Sequence, residues 1–101
     1  MMLGQFNVYR NCSAQTNKTL PYYMIVQNDY YADLATRVII PLIRPQQLPR
    51  WHQHVVPRIN IKFDSFLLCT PMISNLNNKR IPPQDFVCNL SHARQGVIDS
   101  I

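Results

Sequence analysis

Glutamate is absent from the 101-residue chain, and the acidic residues are five aspartates, Asp29, Asp33, Asp64, Asp85 and Asp99. This removes a common general base and one of the better helix formers at once. Glycine is almost as scarce, with only Gly4 and Gly96, so no glycine-rich loop to cradle a phosphate and no G-x-S-x-G nucleophile elbow can be drawn. Long apolar runs are missing too. The longest stretch without a charge, Ser65 to Asn78, is broken by Pro71 and several amides, far from the ~18 apolar residues of a spanning helix, and no membrane association is expected. Met1 to Arg10 has neither a basic n-region nor an apolar h-region, so no secretory signal is readable and the cytoplasm is the expected location. Cys12, Cys69 and Cys88 are odd in number and widely spaced, which fits neither a complete disulfide framework nor a C-x-x-C metal knuckle. They read as reduced thiols, with Cys69 and Cys88 packing as small hydrophobes behind Phe66-Leu67-Leu68 and Phe86-Val87.

Ten Lys and Arg residues against five acidic ones give a formal charge of +5, yet charged residues are only 15% of the chain and apolar ones 47%. That balance excludes a self-repelling disordered chain. A chain of this length buries roughly two thirds of its unfolded surface, enough for one core, so residues 1–101 read as a single domain. Val, Ile, Tyr, Phe and Thr are plentiful and eight prolines punctuate the sequence, which favours short strands over helices.

Period-two alternation places a first strand over Gln5 to Arg10, and a β-branched, aromatic run places a second over Tyr22 to Gln27. Between them Asn11 to Lys18 is an exposed connection. Asn28-Asp29 can cap one helical turn through Tyr30 to Leu34. Arg37 to Leu42 is a third strand, and Pro41, unable to donate to a ladder, predicts an edge or a bulge there. After an irregular stretch bracketed by Pro45 and Pro49, Ile59, Ile61 and Phe63 alternate with Asn60 and Lys62 as a fourth strand. Asp64-Ser65 then reads as the turn into a fifth over Phe66 to Thr70, without the glycine that marks a tight hairpin. Leu76 to Pro83 suits a weak edge strand anchored by Leu76 and Ile81. Ser91 can cap a final helix with Val97, Ile98 and Ile101 on one face, and Gly96 within it costs about 1 kcal/mol relative to Ala.

Few constellations point to chemistry. Asp29 and Asp33 stand four apart, but a cap plus a solvated aspartate explains them better than an acid/base pair. His52 and His54 form H-x-H, yet a closed zinc site needs four ligands and no third is evident, so neither a metal nor a cofactor is expected. The strongest charge signal runs from Arg37 to Phe63, where Arg37, Arg44, Arg50, Arg58 and Lys62 occur without an acidic residue and with Trp51 among them. Such an arc can follow nucleic acid phosphates while Trp51 stacks on a base, or receive an acidic protein; scattered solvated cations are the plainer reading. Tyr22-Tyr23 straddles a strand, whereas Tyr30-Tyr31, in a short turn, suits a protein contact as well as core packing.

Taken in order, Gln5-Phe6-x-Val8-Tyr9, Val26-Gln27-x-Asp29, Arg37-x-Ile39-Ile40-Pro41-Leu42 and Leu90-Ser91-His92 resemble the CcdB toxin family over nearly the whole chain. Pro57, Ile59, Ile61, the Phe66 to Thr70 strand, Met72 and Ser74 also fall in place. The resemblance implies a mainly β (β+α) fold, an SH3-like small β-barrel of antiparallel strands with a C-terminal α-helix. It implies a homodimer that is not an enzyme and that binds the GyrA subunit of DNA gyrase, trapping the complex with cleaved DNA. A CcdA-like antitoxin with an acidic tail would neutralise it, and toxin and antitoxin would regulate their operon together, touching DNA only through that complex. Positions facing gyrase would be Gln5, Phe6, Tyr9, Asn28, Tyr30 and Tyr31, and Arg37, Arg44, Arg50, Arg58 and Lys62 would be open to an acidic partner. Family members continue the last helix into a short Gly-Ile-type tail, and this sequence stops at Ser100-Ile101 roughly seven residues, or ~10 Å of helix, earlier. On that expectation gyrase poisoning is weak or lost. Two other functions compete: a MazF-like ribonuclease toxin using Arg50, His52 and Arg58, and a small nucleic-acid-binding barrel.

Overall fold

A computed structural model describes residues 4–27, 30, 34–47 and 57–93. Among these residues seven short strands form one antiparallel sheet: β1 (Asn7–Arg10), β2 (Tyr22–Ile25), β3 (Thr36–Ile43), β4 (Arg58–Ile61), β5 (Asp64–Leu68), β6 (Ser74–Asn77) and β7 (Phe86–Asn89). Their order is β4-β5-β3-β2-β1-β7, and β6 joins the outer side of β3. Among the described residues no helix is long and apolar enough to cross a membrane.

The sheet buries both faces, which is why its strands read as apolar runs. Alternate residues Phe6, Val8, Met24, Val26, Ile40 and Leu42 join Ile59, Ile61, Phe66, Leu68 and Leu90 in one cluster. The intervening Tyr9, Tyr23, Ile25 and Ile39 pack on the other face with Ile81 and half-buried Leu76. Side chains of successive strand residues point to opposite faces, and the first cluster draws on both ends of the sheet, Ile59 and Ile61 of β4 and half-buried Val87 and Cys88 of β7. A flat sheet would hold those ends several strand spacings apart; this one is curled around its core.

β1 begins only at Asn7 because Gln5 and Phe6 form a turn in which the Asn7 N–H donates to the Gly4 carbonyl at 3.1 Å. Phe6 takes φ 70°, a left-handed conformation that costs a residue with a Cβ about 1–2 kcal/mol. Its buried ring, its N–H to the Ile25 carbonyl at 2.6 Å and its own carbonyl, which receives the Leu90 N–H at 2.9 Å, hold it there.

Four expectations need correction. Pro41 lies inside central β3, opposite Tyr23 of β2. The Val26 N–H donates to the Val38 carbonyl, and bonded pairs alternate in an antiparallel ladder, so the nitrogen of Pro41 faces away from β2. On that side β6 pairs with Thr36 to Ile39 and β5 with Leu42 and Ile43, and the missing donor falls in the gap between them. Secondly, the β4–β5 turn is Lys62-Phe63, joining the paired Ile61 and Asp64, so Phe63 is a fully exposed turn tip. Thirdly, β7 is a strand where none was expected, paired with β1 across a bulge between Val8 and Tyr9.

Lastly, the described start of the expected C-terminal α-helix, Ser91–Ala93, is a single 3-10 turn. It is opened by the Asn89 side chain, which accepts the Ser91 N–H at 3.0 Å, and not by Ser91 as cap. Residues 94–101, and the turn expected at Asn28 to Asp33 apart from Tyr30, lie outside the described residues.

Candidate functional site

Of the residues expected to face a partner, Gln5, Phe6, Tyr9 and Tyr30 are among the described residues, and they differ in exposure. Phe6 and Tyr9 are buried in the two apolar clusters, so they shape the surface from beneath. Gln5 is half-buried, and its amide donates to the Val26 carbonyl at 3.2 Å. Tyr30 is 84% exposed and Leu34 is 49% exposed. Asn28 and Tyr31 lie outside the described residues, as do Asp29 and Asp33.

The segment between β2 and β3 is clamped at its β3 end. Arg37 is buried in β3, and its guanidinium donates to the Leu34 carbonyl at 2.6 Å and the Thr36 carbonyl at 3.0 Å. The Asn78 amide group also donates to Leu34, at 2.9 Å, and the Asn78 N–H donates to the Ala35 carbonyl. A buried cation is tolerated because carbonyl dipoles replace its lost water. Arg37 therefore directs its charge inward and does not belong to the exposed basic arc.

Of the other cations in that arc, Arg44 is half-buried with its guanidinium 5.4 Å from the ring centre of Phe66, a cation–π contact. Arg58 and Lys62 are exposed at the two ends of β4 and its turn. Arg50, Trp51, His52 and His54 lie outside the described residues.

A second feature has no local signature in the sequence. Where β1 leaves the sheet, Arg10, Asn11, Cys12 and Ser13 meet Tyr23, Leu76, Arg80 and Asp85 around a pocket of about 220 Å³. The Cys12 thiol donates to Oδ2 of Asp85 at 2.6 Å. That hydrogen bond to the carboxylate holds the thiol pKa above its usual value, against the opposing pull of Arg10. Burial, helped by nearby Asp85, pushes the Tyr23 phenol well above the ordinary tyrosine range. The Asn11 side chain is committed to its own loop, donating to Leu20 O at 2.8 Å and Thr16 Oγ1 at 2.9 Å. The lining residues are up to 75 positions apart in the chain, so only folding assembles them. Among the described residues no group of three or more His, Cys, Asp or Glu side chains could hold a metal ion. The arrangement suits recognition through charge and shape.

Compared with known proteins, residues 5–101 match the family model described as CcdB protein. No curated protein matches the chain.

Proposed function

The chain belongs to the CcdB family, toxins of toxin–antitoxin systems, and we propose that its target is the GyrA subunit of DNA gyrase, held in complex with cleaved DNA. In this reading the protein performs no bond-making step of its own. It works in the cytoplasm as a homodimer of closed SH3-like barrels, presents a rigid rim to the enzyme, and is removed by a CcdA-like antitoxin with an acidic segment. Together with that antitoxin it represses the shared operon.

The observation that carries the reading is the exposure of Tyr30 beside an anchored frame. Tyr30 offers most of its ring to solvent, while Gln5, Arg37 and Asn78 tie the backbone on either side of its segment. A large exposed aromatic between two tied flanks offers contact area of the kind found at binding hot spots. The formal +5 charge and the exposed Arg58 and Lys62 suit an acidic antitoxin, because complementary potentials speed encounter and set orientation.

The test is a GyrA-binding titration run beside a supercoiling and cleavage-complex assay with purified gyrase. The expected result is saturable binding of the wild-type chain to GyrA and at least a roughly tenfold higher concentration requirement for Tyr30→Ala, a loss of about 1.4 kcal/mol. No binding to GyrA and no change in supercoiling would overturn the proposal, and cleavage of single-stranded RNA by the same preparation would replace it with the ribonuclease reading.

A further inference from the structure

We propose that the pocket at the end of β1 binds a carboxylate carried on a short apolar stem, either a small free acid or an acidic side chain of a peptide. Nothing about gyrase enters this inference, and it stands or falls separately from the reading above.

Charge selects the ligand's sign and its magnitude. Two cationic residues, Arg10 and Arg80, and one anionic residue, Asp85, are among those lining the pocket. Their sum is +1. Among the described residues neither arginine is engaged in a salt bridge, and Asp85 spends one oxygen on the Cys12 thiol. A carboxylate entering the pocket brings the site to neutrality, whereas a phosphate dianion would leave it at −1 beside Asp85, and a cation would meet two like charges.

Shape agrees with charge. A guanidinium presents parallel N–H donors that match the two oxygens of a carboxylate. The volume of about 220 Å³ is below the roughly 300–1,000 Å³ of pockets for drug-sized ligands, so it accommodates a side chain or a molecule of that size. The buried ring of Tyr23 and half-buried Leu76 offer apolar walls for the stem, and the exposed Ser13 hydroxyl is a further donor at the rim.

The experiment is a titration of the full chain, labelled with nitrogen-15, followed through the backbone amides of Arg10 to Ser13 and the Nε–H signals of Arg10 and Arg80. The probes are butyrate, the α-amide of N-acetylglutamate, and inorganic phosphate. Both carboxylates are expected to shift these signals to saturation at millimolar concentration, with phosphate weaker. Tighter binding of butyrate than of the glutamate amide identifies a free acid as the source, and the reverse order identifies a peptide side chain. Arg10→Gln and Arg80→Gln, both at exposed positions and so harmless to the fold, should each weaken binding about three- to fivefold. Asp85→Asn should tighten it by a similar factor, because it removes the like charge. Phosphate binding tighter than either carboxylate, binding unaffected by both arginine substitutions, or weakening by Asp85→Asn would overturn the proposal.

Discussion

The turn between β4 and β5 should become more stable when Phe63 is replaced by glycine. Lys62 and Phe63 have φ of 51° and 73° and link the paired Ile61 and Asp64, so this is a two-residue hairpin whose turn needs positive φ at both central positions. Neither residue is glycine, and a Cβ in the left-handed region costs about 1–2 kcal/mol. The Phe63 side chain is fully exposed, so truncating it forfeits no burial. Phe63→Gly releases the steric cost but adds about 0.4–1 kcal/mol of unfolded-chain entropy. The difference is a net gain of up to about 1.6 kcal/mol and about 0.8 kcal/mol at the centre of both ranges, or ~3–6 °C in Tm for a domain of this size. Phe63→Ala is the control, because it removes the ring and keeps the strain. Urea unfolding of the three proteins at equal m-value measures the comparison. A glycine variant less stable than the alanine variant would refute the reasoning, because it would show that positive φ at Phe63 carries no steric cost.

Burial raises the Tyr23 phenol, with Asp85 and Cys12 adding to it. The folded value lies above an unfolded one of about 10, so its contribution is complete below that pH and is lost as pH climbs from there toward the folded value. Stability should fall by up to ~1.4 kcal/mol per pH unit above about pH 10, with Tyr9, also raised by burial, supplying a second share; urea midpoints of Tyr23→Phe that fall in parallel with wild type would exclude Tyr23 as a source. Phe66 is 1% exposed, with the Tyr22 ring edge-on at 5.2 Å, and Phe66→Ala should cost about 3–5 kcal/mol, read by chemical denaturation. Arg37→Gln should cost about 2 kcal/mol through its lost charged hydrogen bonds and speed hydrogen exchange at the Asn78 amide, which bonds to Ala35 beside the clamp.

Local pattern was enough where a strand's own residues carried both of its faces. β2 and β3 are continuous apolar runs because one side of the sheet packs on Phe66 and Ile59 and the other on Ile81 and Tyr9. The pattern was blind to register in the β4–β5 hairpin. A turn at Asp64-Ser65 and the observed turn at Lys62-Phe63 differ by two residues along the chain, and both leave Ile59, Ile61 and Phe66 facing inward. Period two cannot separate them, and the missing glycine hid the strained turn that was adopted. β7 was illegible for another reason. Phe86, Val87, Cys88 and Asn89 do not alternate in burial; they form a strand because β1, some 80 positions earlier, offers its edge. The pocket is the extreme of the same dependence, since Arg10, Arg80 and Asp85 acquire a common meaning only after β1 and the 78–85 region are brought together.

Pro41 connects these levels most directly. A proline in a central strand ordinarily removes a ladder bond, and the inference to an edge follows if each strand keeps one neighbour along its length. β3 does not. Its first half pairs with β6 and its last two residues with β5, and the Cys69 N–H, at the end of β5, donates to the Pro41 carbonyl at 2.9 Å. The proline's acceptor is used, and the Cys69 carbonyl that would pair with its absent donor instead receives the Met72 N–H at 2.9 Å. β5 then leads through its hairpin to β4, so a residue that resembles an interruption marks the point at which the sheet divides into two branches. The β5–β4 branch delivers Ile59 and Ile61 to the cluster that also holds Val8 and Leu90; the β6 branch carries Leu76 and, beyond it, the Asn78 that clamps Leu34 and the Arg80 of the pocket. One imino acid in β3 thus stands between the half of the sheet that closes the core and the half that supports the exposed sites.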